Sequence, residues 1–252
     1  MRTILIGAIL ALAALAASVG PIQAQAPRQT DLFSPATFRG VATPARYFYL
    51  AQAVIDYGPG TFSAAGSEQS LRFFTVVEGE LTVTISGQQA SYAAGKSFSV
   101  APGVVVRGSN EGRGSRVRVF VTSLVPARGE AALTVPGTGP SSPAPSVVCA
   151  SRRSMGPLPQ VVDIIQWGRR YDPGFATPLH IMNELHDILH LEGTTSYEYA
   201  SGGAEAYGSC QRAEMYMGQP GRMANRTATP SIFFVTWLAS PGKPLVSAWQ
   251  AP

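Results

Sequence analysis

The sequence predicts an all-β protein: two small β-barrels in tandem behind an export signal. Charged residues are only 13% of the 252, whereas Gly 26 and Pro 20 punctuate the whole length. That balance suits turn-rich strands better than helices, which carry a charged outer face. Short β-branched and aromatic runs follow one another between turn residues, the spacing of a sandwich or barrel. The third observation is an internal repeat at an offset of 114 or 115 residues, which makes the chain a tandem duplication.

At the amino terminus, Arg2 precedes an apolar run over residues 4–19, followed by Gly20, Pro21 and small residues up to Ala26. This is the order of a secretory signal, and cleavage after Ala24 makes residues 1–24 the signal peptide. The run is short for a membrane span, which takes about 20 apolar residues. No second stretch of that length follows, so the mature chain is expected to be soluble and secreted or periplasmic, with no membrane partner. No cysteine lies near the cut, which argues against a lipoprotein.

The first copy is expected over residues 40–126, with strands at 73–77, 81–85 and 117–121. The second is expected over 158–247. Pro59-Gly60 recurs as Pro173-Gly174, Glu78-Gly79 as Glu192-Gly193, Tyr92 as Tyr207, Gly103 as Gly218 and Asn110 as Asn225. Phe120-Val121-Thr122 returns as Phe234-Val235-Thr236. Between the copies, residues 127–157 read as a Pro/Gly/Ser-rich linker. Each copy is small for an independent β domain, so the two are expected to pack together or through a symmetric homodimer. The two cysteines, Cys149 and Cys210, could pair in an oxidising compartment and tie the linker to the second half, or remain free. Net charge is +4 and the 19 Lys and Arg are scattered. Phosphate recognition needs a concentrated basic footprint, so no nucleic-acid partner is expected.

On these residues the chain resembles the cupin superfamily, whose barrels carry two motifs. The first runs from a glycine through H-x-H and a glutamate to a closing glycine, here Gly79 and Gly193. The second runs through a glycine, P-x-G, a histidine and an asparagine. In copy one Gly95, Gly103 and Asn110 fit it, with Ala101 where proline is usual. The resemblance implies a bicupin, two jelly-roll barrels covering most of the mature chain. It also implies a metal held by two histidines and the glutamate of motif one and the histidine of motif two. This sequence departs at those places. Copy one holds Gly66, Glu68, Arg72 and Val106, so barrel 1 is expected to be metal-free, because a hard or borderline cation needs several N or O donors. Copy two holds His180, Met182, His186 and Gly221. Only His180 is a family ligand in place; His186 stands where the glutamate would, and Met182 is a soft donor.

All three histidines of the chain, His180, His186 and His190, fall within one short segment. Several readings stay open. His180 and His186 could serve as general acid and base on a bound small molecule, since imidazole titrates near neutral pH. They could hold one divalent transition metal together with Glu214 or Tyr216, and so activate substrate or water. His186 and His190 could lie on a helix as in zinc peptidases with H-E-x-x-H, although Gly193 and alignment with residues 72–76 favour a strand. The histidines could also be hydrogen-bonded barrel residues without chemistry. Met182, His190, Glu214 and Tyr216 are the expected substrate-contacting neighbours. In barrel 1, Glu68 and Arg72 form either a salt bridge at the mouth or a clamp for a carboxylate. Asn110 and Asn225 are expected to fix turns, and Met215, Met217 and Met223 to fill core and loops.

The functional expectation is an exported small-molecule enzyme of isomerase, lyase or cyclase type. It would use His180 and His186, with no cofactor or one divalent transition metal in barrel 2. The alternatives are a non-catalytic periplasmic small-molecule-binding or scaffold protein, and a metal-dependent dioxygenase.

Overall fold

The computed structural model describes residues 26–43, 47–112, 114–126, 143–156 and 158–250. The segment expected to be a signal peptide, residues 1–24, and residues 127–142 of the Pro/Gly/Ser-rich interval lie outside them. Among the described residues the regular elements are strands. The first half carries β1 (Gln29–Ala42), β2 (Phe48–Tyr57), β3 (Gly66–Ser67), β4 (Leu71–Glu78), β5 (Glu80–Ile85), β6 (Gln88–Ala93), β7 (Ser97–Val100), β8 (Val105–Ser109) and β9 (Val117–Pro126). The second carries β10 (Ser146–Met155), β11 (Val161–Tyr171), β12 (His180–Met182), β13 (Leu185–Glu192), β14 (Thr195–Tyr199) and β15 (Ala204–Tyr207). It ends with β16 (Arg212–Ala213), β17 (Pro220–Ala224), β18 (Ser231–Ala239) and β19 (Val246–Ala248). No helix among the described residues is long and apolar enough to cross a membrane.

Each barrel is a pair of antiparallel sheets. Barrel 1 joins the order β10-β2-β9-β4-β7 to β3-β8-β5-β6, and barrel 2 joins β1-β11-β18-β13-β16 to β15-β14-β17-β12-β19. The edge strands are exchanged. β1, from the start of the chain, pairs along β11 of barrel 2, and β10, from the start of the second copy, pairs along β2 of barrel 1. The interval 127–157 is therefore not a linker throughout, since it ends in a ten-residue strand. Its composition averages a Pro-rich stretch ending at Pro145 with this strand, and an edge strand buried on one side has too weak an apolar pattern to stand out.

The long strands β4, β9, β13 and β18 are buried on both faces, which is why they read as nearly continuous apolar runs. Alternation sends Phe74 and Val76 into barrel 1 with Ile55, Val83 and Val119. Leu71 and Phe73 face the other way, into a shared core with Leu124, Ile164 and Leu238. A second shared core joins Val54 and Phe120 to Leu189 and Phe234. The copies thus pack on one another through the large sheets.

At the centre of that seam sits a polar cluster that obeys the repeat. Gln52 donates to the Thr236 hydroxyl at 2.9 Å, Gln166 donates to the Thr122 hydroxyl at 2.7 Å, and the two threonines bond each other at 2.7 Å. All four side chains are buried. Satisfied polar groups in a dry interface fix its register, because any slip leaves amides unpaired. The recurring Asn110 and Asn225 also do one job twice. Each side-chain amide bridges the carbonyl of a strand end, Tyr57 or Tyr171, to that of a loop residue, Ser115 or Thr229. Gly79 and Gly193 turn β4 and β13 back into the next strands at φ +78° and +67°, with backbone pressed where a Cβ would stand.

Candidate functional site

The histidines arrive in barrel 2 on two strands. β13 is a strand over the whole H-x-x-x-H segment, so the helical arrangement of His186 and His190 does not form. Strand alternation points His186, Ile188 and His190 into barrel 2, and Asp187, Leu189 and Leu191 towards barrel 1. β12 supplies His180 and Met182, with His180 directly across from Gly221 on β17.

Two of the three imidazoles are occupied by the protein itself. His186 is 1% exposed and packs tilted against Trp237, with ring centroids 4.7 Å apart. Its Nε2 accepts the Met215 backbone N–H at 3.2 Å, which leaves the proton on Nδ1, facing the Glu184 carbonyl at 3.4 Å. Burial drives its pKa down to about 4, against the Glu184 carbonyl, and the nearby charges of Arg153 and His180 lower it further. His190 is also fully buried: Nδ1 faces the Gln211 carbonyl at 3.1 Å and Nε2 the Tyr197 hydroxyl at 3.4 Å. Burial again lowers its pKa to about 4. A group that is neutral at physiological pH and bonded at both nitrogens is a poor proton shuttle. His180 differs. It is half-buried, its Nδ1–H bonds the Pro178 carbonyl at 2.8 Å, and its Nε2 has no partner among the described residues. A cleft of about 530 Å³ lined by Leu179, Tyr199, Ala200, Gly203, Glu198 and Arg222 lies on the other face of its sheet, because alternation sends Leu179 and Arg222 outward and their neighbours His180 and Gly221 inward. Arg226 and Arg222 hold the Glu198 carboxyl down at about 2 through hydrogen bonds.

The residues do not fit the metal that the family motifs imply. Among the described residues no three His, Cys, Asp or Glu side chains gather to hold an ion. At Gly221, where the motif-two histidine would project, a Cβ would meet Met215 Cε at 2.9 Å and the Glu198 carbonyl at 3.1 Å. The buried thioethers of Met182 and Met215 fill that part of the barrel. Glu214 lies next to Met215 but is ion-paired with Arg153 of β10 and with Arg212, at 3.0 Å in the latter case. It turns to the seam because neighbouring residues of an extended segment face opposite sides. Tyr216 is half exposed, its ring 5.9 Å from that of Tyr199 at the barrel mouth.

In barrel 1, Arg72 occupies the place equivalent to His186 and is 1% exposed. It pairs with Glu68 at 3.8 Å and donates to the Val104 carbonyl at 3.2 Å. Burial lowers the pKa of Arg72 and raises that of Glu68, each against the pull of the other. The apolar side chains around Phe74 and Val83 fill the rest of that interior.

Sequence reasoning missed Asp187. This buried carboxylate accepts Arg212 Nε at 2.5 Å, with Arg153 at 3.9 Å, and joins β10 of barrel 1 to barrel 2. Its approach to Arg153 depends on the exchange of β10, which no local signal announces. On the same strand, Cys149 forms a disulfide with Cys210, across a sequence separation of 61.

A family model described as a cupin domain matches residues 53–123. No curated protein matches the chain in sequence. Vicilin from Solanum lycopersicum (tomato) superposes with a TM-score of 0.55 at 10% identity, over 81% of this chain and 84% of that one. YhaK from Escherichia coli superposes at 0.50 and 12% identity, over 82% and 94% of the two chains. An oxalate decarboxylase gives 0.50 and 12%, over 81% and 77%. At such identities these likenesses show the fold alone. The first barrel is thus matched by the cupin domain model, and the chain has the double-barrel fold of the bicupins.

Proposed function

We propose that the protein is an exported bicupin that binds a small molecule at the mouth of barrel 2, around His180, without transforming it. One observation carries this reading: the buried His186, the expected partner of His180 in proton transfer, has its nitrogens committed to Met215 and Glu184. Export is supported by the signal-like first 24 residues and by the Cys149–Cys210 disulfide, which persists in oxidising compartments. Tyr216 stands half exposed at that mouth, whereas the buried Met182 fills the interior, His190 serves packing and Glu214 the seam. Glu68 and Arg72 act as a structural ion pair in barrel 1.

A second reading, an isomerase, lyase or cyclase, is favoured by the free Nε2 of His180 and would rest on that residue alone. The test is a panel of small organic acids, sugars and aromatic metabolites incubated with the mature chain and followed by ligand-detected NMR. Binding weakened by His180→Ala, with every compound recovered unchanged, is the expected result. A new product that disappears in His180→Ala would overturn it in favour of the enzyme. Oxygen uptake that a chelator stops would point to the dioxygenase.

A further inference from the structure

We propose a second binding site, outside both barrel interiors, for a small aryl-alkyl carboxylate. A groove of about 650 Å³ lies where β1, which belongs to the sheet of barrel 2, crosses the β4–β7 edge of barrel 1. That volume is in the range of small-molecule pockets, about 300–1,000 Å³. Phe38 and Phe73, with ring centroids 4.8 Å apart, line it together with the aliphatic chains of Val41 and Leu71. Its polar side chains include Arg39 and Ser99, and no carboxylate lines it. Arg39 is exposed, and no acidic side chain among the described residues comes within ion-pair distance of it.

The ligand class follows from this pairing. Aromatic and aliphatic walls favour a ring or short hydrocarbon, and a free guanidinium fork beside them favours a planar carboxylate, which it can grip with two hydrogen bonds. A cation is disfavoured by Arg39, and a sugar would leave hydroxyls unpaired against Phe38 and Phe73. The site spans the two copies, so its occupation depends on the exchange of β1. It does not rest on the reading of barrel 2.

The test uses the mature full chain with 4-phenylbutyrate and the uncharged 4-phenylbutan-1-ol, followed by amide NMR and calorimetry. The acid should bind about tenfold more tightly than the alcohol, equivalent to about 1.4 kcal/mol. Its shifts should fall on residues 38–43, 71–73 and 99–102. Arg39→Gln should bring the acid to the level of the alcohol, Ser99→Trp should block both, and His180→Ala should change neither. Equal binding of the two probes with no effect of Arg39→Gln, shifts clustered around Trp237, or no binding of either at millimolar concentration would each overturn the proposal.

Discussion

Acidification should destabilise this fold through His186 and His190. Both have pKa values lowered from 6.5 to about 4, mainly by burial. An unfolded chain takes up these protons near the ordinary value, whereas the folded chain waits until about 4. The stabilisation is therefore complete above 6.5 and is lost as pH falls from there towards 4. At about 1.4 kcal/mol per tenfold, each histidine contributes about 3 kcal/mol, and the pair about 7. Asp187 opposes them. Burial raises its carboxyl from 3.8 to about 6 against the pull of Arg212 and Arg153, so the folded chain protonates it first as pH drops. That returns about 3 kcal/mol over a similar window and leaves a net loss of about 4. Urea unfolding under non-reducing conditions, followed by tryptophan fluorescence at several pH values between about 7 and 4, measures it. His186→Gln, which keeps an acceptor for the Met215 N–H, should remove about 3 kcal/mol of the pH dependence. Stability that is level or rising across the window, or an imidazole of His186 titrating near its ordinary value by NMR, would refute the reasoning.

Three further outcomes follow from packing and connectivity. Thr122→Val should cost about 1–3 kcal/mol in urea unfolding, because it takes from the Gln166 amide its shorter acceptor in a dry seam and leaves one N–H unpaired; with Thr236→Val the effects should be non-additive. Gly193→Ala, which sets a Cβ against the Pro230 carbonyl at φ +67°, should cost about 3 kcal/mol or more. Gly202→Ala, at φ +93° with open space around it, should cost about 1 kcal/mol. Replacing Cys149 and Cys210 by serine opens a loop across a sequence separation of 61 and should lower stability by about 4 kcal/mol, read from the shift of the unfolding midpoint.

Much of the architecture was legible in the chain itself. Strand-forming runs, glycines forced to positive φ and asparagines that bridge loops are local devices, so duplication printed them twice, 114 or 115 residues apart. The repeat was thus visible at Gly79 and Gly193 and at Asn110 and Asn225, and it carried the double-barrel reading. The empty ligand places Gly66, Val106 and Gly221 were equally plain, because an absent donor is a matter of residue type.

Only the tertiary structure decided which barrel each edge strand joins. β1 and β10 stand at equivalent places in the two copies, and backbone hydrogen bonds alone would let each pair with either sheet; the exchange is set by contacts these strands make across the seam, Phe38 of β1 on Phe73 and Arg153 of β10 with Asp187 and Glu214. The histidines divide for a similar reason. Their spacing says that His186 and His190 share a face, but their chemistry depends on the Met215 N–H, the Tyr197 hydroxyl and the surrounding aromatic rings, which come from distant strands. Residue identity fixes what a side chain can donate or accept, whereas burial and partners, set by long-range packing, fix whether it is free to do so.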